Sequence, residues 1–200
     1  MQPSFERAFV LKLVLLIESA VLLISAIWCL LSQRDLLPLF VVKQPWDLGL
    51  DVAAGLMTST SSLFISYLGK KMADKITWLH NYCQLVENVM APVFAKATLS
   101  DIFLISLSSG FCEEVFYRGI LQFQFGIIAA SLIFGFCHYA GPRYFFYVIW
   151  AGIVGAFFGG LIIITDCIWV PIIAHMVSNF LSLCILRYKI ARNPVDEKQD

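Results

Sequence analysis

Charge is what this chain has least of. Asp, Glu, Lys and Arg make up 14% of its 200 residues, whereas a soluble domain carries about a quarter. Fourteen basic residues balance fourteen acidic ones. With no excess of positive charge, nucleic acid is not an expected partner. The six cysteines, at positions 29, 83, 112, 137, 167 and 184, include no CxxC pair, and they read as small apolar fillers in a reducing or lipid setting. There is no HExxH, no serine, histidine and acid trio suited to a nucleophilic route, no internal repeat and no low-complexity segment. Cys112 and Cys137 each precede a polar residue of interest by one position. A helix turns by about 100° over that step, which disfavours either thiol as a nucleophile beside its neighbour.

In place of charge there is oil. Hydrophobic residues are 60% of the chain and mean hydropathy is +0.80, the composition of a polytopic membrane protein. Apolar runs cover residues 13–31, 48–68, 102–124, 126–140, 147–165 and 168–186, and crossing the hydrocarbon takes roughly 20 residues of helix. The expected fold is therefore an all-α transmembrane bundle of about six spans. The fourth run is short for a crossing and reads as re-entrant or tilted. Residues 69–100 mix charged and apolar positions and suggest an amphipathic helix lying in the interface. His80, within it, reads as a solvated surface histidine. The chain divides into two anchor helices plus this segment (1–100), a membrane core (101–187) and a solvated tail (188–200). The first run is too long for a signal-peptide core, and Trp28 before Cys29 does not suit a lipoprotein cleavage site, so a retained anchor is expected. In the fifth run, Ala151, Gly155 and Gly159 repeat every four residues, as do Gly152, Ala156 and Gly160. Small residues at that spacing let helix backbones approach.

The few charges inside these runs are concentrated in one place. "GFCEEVFYRG" sets Glu113, Glu114 and Arg118 in the third run. Each charge at the centre of a membrane helix costs roughly 2.5–3.5 kcal/mol, and three unpaired ones would cost on the order of the stability of a whole domain. They must be paired and must face the bundle interior. Glu114 and Arg118 are four residues apart and share a helix face, so they can pair; Glu113 points about 100° away and stays available. "FGFCH" places Phe134 and His138 four apart, and "HMVSN" does the same for His175 and Asn179. Three helices thus each bring polar groups into apolar surroundings, and intramembrane ionisable residues are functional candidates by default. Hydrolysis of a peptide bond needs a base for water and donors for the developing oxyanion, and a carboxylate with a histidine can supply the first. Two histidines and a glutamate would also make a zinc set with a position open for water. A packing role in a non-catalytic membrane protein is the third reading.

In this order, "EEVFYR", "FGFCH" and "HMVSN" resemble the EExxxR, FxxxH and HxxxN motifs of the CPBP family of intramembrane proteases, over residues 101 to about 187. That family includes CAAX prenyl endopeptidases and bacterial members linked to bacteriocin processing and immunity. The resemblance implies that Glu113 and His138 activate a water, that His175 and Asn179 stabilise the oxyanion, and that Glu114 and Arg118 hold the site in shape. Phe134 would restrict the His138 ring. It also implies a glutamic-type endopeptidase without a metal cofactor, acting on a protein or peptide substrate, with or without a prenyl group, at the lipid bilayer. The alternatives carried beside it are a zinc-dependent membrane protease and a non-catalytic immunity or scaffold protein.

Orientation follows from the basic residues. Six spans put Arg7, Lys70, Lys71, Lys75, Lys96, Arg143, Arg187, Lys189, Arg192 and Lys198 on one side and only Arg34 and Lys43 on the other. The positive-inside rule makes the first side cytoplasmic, so an integral protein of the cell (inner) membrane with both termini inside is expected. Cysteines replacing Lys71 or Lys189 should resist an impermeant thiol reagent added to intact cells. Efficient labelling at either would invert the topology.

Overall fold

The computed structural model describes residues 6–42, 47–72 and 75–192, and every regular element among them is helical. In chain order these are α1 (Arg7–Ser32), α2 (Asp47–Met72), α3 (Thr77–Leu85), α4 (Ala91–Phe94), α5 (Leu99–Glu114), α6 (Gln122–Cys137), α7 (Phe145–Thr165) and α8 (Trp169–Arg192). The all-α expectation holds. Four stretches are long and apolar enough to cross a membrane: Arg7–Ser32, Leu99–Cys137, Pro142–Thr165 and Trp169–Tyr188. A shorter apolar helix, Val52–Ile65, lies within α2. Large side chains such as Leu16, Leu30, Ile128 and Ile164 are exposed, as a lipid-facing surface requires. This is an integral membrane protein.

The third and fourth apolar runs of the sequence form one 39-residue stretch rather than two separate helices. A wide π-helical turn at Val115–Leu121 joins α5 to α6. The break comes at Gly126, which lies at φ 83° and ψ 166° inside α6, a conformation that a residue with a Cβ adopts only under strain. The helical part beyond it, 127–137, spans about 16 Å at about 1.5 Å per residue, half the hydrocarbon thickness. The fourth run is short for this reason.

Local capping and one ion pair place α1. Thr98 and Asp101 close a capping box at the start of α5, with Thr98 N donating to Asp101 Oδ2 at 2.7 Å and Asp101 N to Thr98 Oγ1 at 3.2 Å. Arg7 reaches the same carboxylate, Nε to Oδ2 at 2.6 Å and Nη2 to Oδ1 at 3.0 Å. This fixes the start of α1 against the start of α5. Near the other end Trp28 meets Phe125 edge-on, with ring centroids 6.1 Å apart, so the two helices run parallel.

The loops gather at two ends of the bundle. At one end Arg143 donates to Asn81 Oδ1 at 3.2 Å, bringing the turn before α7 to α3. At the other, Ile168 N donates to Leu39 O at 2.7 Å and Trp169 Nε1 to Phe40 O at 3.0 Å. The amphipathic segment expected over 69–100 is divided between the end of α2 and the chain Thr77–Phe94, which a π-helical turn at Val86–Met90 interrupts. It buries Leu79, Tyr82, Cys83 and Leu85 while Trp78 and Val89 stay exposed. α8 runs on to Arg192, five residues past the core boundary expected at 187; Lys43, Lys198 and the rest of the tail lie outside the described residues.

Candidate active site

Two close approaches allowed by glycine bring the motif residues together. At Gly110 a Cβ would lie 2.9 Å from Met176 N and 3.0 Å from Ile172 O, so the backbone of α8 presses directly on α5. One turn further along α5, Glu114 meets His175 of α8, Nδ1 to Oε1 at 2.9 Å. The other oxygen of Glu114 accepts from Arg118 Nε at 2.9 Å. At Gly155 of α7 a Cβ would lie 3.3 Å from Arg118 Nη2 and 3.1 Å from Phe134 Cδ1, so a larger residue there would crowd the guanidinium and the ring. The backbone approach expected of the small-residue stripe occurs at Gly152, where a Cβ would lie 3.4 Å from Ser131 O, whereas Gly155 makes room for side chains. Arg118 Nη1 and Nη2 are buried without a hydrogen-bond partner among the described residues. Their charge rests instead over aromatic faces, with Cζ 5.4 Å from the Phe134 ring centroid and 5.9 Å from that of Tyr117.

The expected Glu114–Arg118 pair is thus present, and Glu114 also goes beyond it by bridging Arg118 to His175. Because a carboxylate only accepts, the Nδ1 of His175 carries hydrogen and its Nε2 is left for other work.

His138 stands at the end of α6, its Nδ1 2.8 Å from Phe134 O. A carbonyl also only accepts, so this bond sets the proton on Nδ1 and leaves a lone pair on Nε2. The Phe134 ring lies against the imidazole with centroids 4.6 Å apart, and it also approaches His175 at 6.0 Å. Phe134 thus packs on the His138 ring from one turn away. Asn179 donates through Nδ2 to Ser109 Oγ at 2.9 Å. His138, His175, Asn179, Phe134 and Ser109 all line one cavity of about 330 Å³.

Glu113 stands beside this cavity rather than on its wall. It is partly buried, and its Oε2 is sealed from solvent without a hydrogen-bond partner. No direct hydrogen bond joins it to His138 among the described residues. Its carboxyl faces that of Glu18 from α1. Glu18 had its signal in the sequence, as the sole charge in an apolar run, yet a single helix offered it no partner. Ser109 and Phe158 also escaped the motif reading. Phe158 stacks on His175 with centroids 5.4 Å apart, and only the fold shows that it does. Among the described residues no three His, Cys, Asp or Glu side chains group as a metal-ligand set.

Comparison with known proteins finds the same region. Residues 95–181 match the family described as type II CAAX prenyl endopeptidase Rce1-like. The uncharacterized protein YpbD of Bacillus subtilis is 28% identical over 106 residues, 52% of this chain and 56% of that protein. The matched stretch spans a little over half the length of that relative. No solved structure matches significantly.

Removing one partner of a buried ion pair costs about 3–5 kcal/mol, because the survivor is stranded. Glu114→Ala and Arg118→Ala should each lower the yield and melting temperature of folded protein, beyond any effect on activity. Wild-type melting curves for both would show the pair to be dispensable for the fold.

Proposed function

We propose, with the Rce1-like segment 95–181 as the premise, that the protein is an intramembrane endopeptidase that hydrolyses a peptide bond near the membrane with a water activated by Glu113 and His138. The observation that carries this reading is the single cavity lined by His138, His175 and Asn179 with Glu113 beside it. The Nε2 lone pair of His138 can hold the water by accepting one hydrogen, while Glu113 takes the proton that leaves as oxygen attacks the scissile carbonyl. The oxyanion that forms meets two donors. Asn179 uses one amide hydrogen on Ser109 and has a second to give. His175 donates from Nε2 when its ring is protonated, and the Glu114 carboxylate on its Nδ1 supports that charge. Glu113 then passes its proton to the departing nitrogen.

The substrate of this reading is a protein or peptide reached from the bilayer. Tyr82, Val86, Met90 and Phe94 from the broken helix line the same cavity, which favours an apolar flank on the substrate, such as a prenyl group. With the basic ends of the bundle inside, the chemistry would serve cytoplasmic segments. No metal is needed for the step.

Purified protein incubated with farnesylated and unmodified peptides should release a C-terminal tripeptide from at least one of them. Glu113→Gln and His138→Ala should abolish release. Asn179→Ala should retain a measurable residue, since losing one oxyanion donor costs about 10²–10³ in kcat. All three should melt like wild type, and chelators should change nothing. Inactivation by a chelator with recovery on adding zinc would move the mechanism to the metal. No cleavage of either peptide by folded wild type would favour the non-catalytic reading.

A further inference from the structure

α1 looks like a lipid anchor along most of its surface. Its buried residues are only Val10, Glu18 and Ser25, a narrow inward seam on a helix whose Leu16, Leu23 and Leu30 are exposed. A carboxyl in the middle of that seam, 7% exposed, is an expensive choice where leucine would pack. The register shows what it meets. Arg7 is fixed to Asp101; Glu18 lies 11 residues further along α1 and Glu113 lies 12 residues further along α5. At about 1.5 Å per residue these are roughly 17 and 18 Å along two parallel helices, so the two carboxyls arrive at the same depth and face each other.

Each carboxyl keeps an oxygen that no other described residue holds. Glu18 Oε2 and Glu113 Oε2 are both buried without a hydrogen-bond partner among the described residues. The titratable groups around the pair are Cys112 and Glu114 on α5, Tyr117 in the wide turn, His138 on α6, Tyr147 on α7 and His175 on α8. None is a permanent cation, and Arg118 gives its Nε to Glu114. Two carboxyls facing each other out of water cannot both ionise at little cost, and the stable arrangement holds one proton between them.

We infer that Glu18 is the positioning partner of Glu113, the two carboxyls sharing a single proton that Glu18 donates to the Glu113 carboxylate in the resting site. This rests on the endopeptidase reading for its purpose, though not for its chemistry. The shared proton fixes one oxygen of Glu113 and leaves the other as the base. When water attacks, its hydroxyl oxygen bonds to the carbonyl carbon and its proton goes to Glu113, so that the pair holds two protons. As the C–N bond breaks, its electron pair stays on nitrogen, which takes the proton from Glu113, and the pair returns to one. Glu18 never touches the substrate.

Two measurements test this independently. In a detergent without ester groups, infrared spectra of wild type at pH 7 should show a protonated-carboxyl C=O band. Glu18→Gln should remove it, and Glu6→Gln, at an exposed position, should leave it. This readout needs no catalysis, so it stands or falls apart from the protease reading. The absence of the band in wild type, or its survival in Glu18→Gln, overturns the shared proton. In the cleavage assay, Glu18→Leu should lower kcat about 10–100-fold, the range of one hydrogen bond to a charged group, with KM and melting temperature unchanged. Glu18→Gln, which still offers an N–H to Glu113, should recover most of that loss. Wild-type kcat in Glu18→Leu, or no recovery in Glu18→Gln, overturns the positioning role.

Discussion

The contact between Glu114 and Arg118 lies where neither side chain has any exposed surface, inside a protein whose outer face is leucine, isoleucine and phenylalanine. Such a pair is stable only in good geometry with further contacts around both charges, and supplying those contacts determines much of the bundle. The second oxygen of Glu114 takes His175, so α8 must lie on α5 at that depth. The guanidinium takes its place under Phe134 and beside Gly155, so α6 and α7 must close over it. Four helices are thereby brought to one point by a single carboxylate, and the cavity opens next to that point.

This arrangement also divides the labour between the adjacent glutamates. Consecutive positions on a helix face different ways, so the residue bonded to Arg118 and the residue free of it come from one dipeptide. Glu114 is committed to orienting His175. Glu113 escapes that network and turns toward α1 instead, the helix that otherwise looks like a lipid anchor. The histidines are prepared in the same manner, each with Nδ1 bound to an acceptor that fixes its tautomer. What faces the cavity is set by bonds that face away from it.

The membrane core was legible from sequence because its key relations are local. Pairs four residues apart announce a shared helix face, and Glu114 with Arg118, Phe134 with His138, and His175 with Asn179 are all of this kind. The all-α architecture was legible from the lengths of the apolar runs. Glu18 beside Glu113 was not, since it depends on the register of two helices fixed by Arg7 and Asp101, which are 94 residues apart. The bridge from Glu114 to His175 depends on how closely α8 presses at Gly110, and no periodicity encodes that. Nor did composition show that residues 77–94 would line the cavity, because an amphipathic helix suits a membrane interface and a cavity roof equally well.

The most direct test of the account is the energetic coupling between Glu114 and His175, measured as a double-mutant cycle on unfolding in detergent with Glu114→Gln, His175→Gln and the pair together. If one carboxylate ties α8 to α5, the double variant should lose less stability than the sum of the singles, by about 1–3 kcal/mol. Losses that add to within about 0.5 kcal/mol would mean the two residues are independent and would contradict the arrangement on which the site is built.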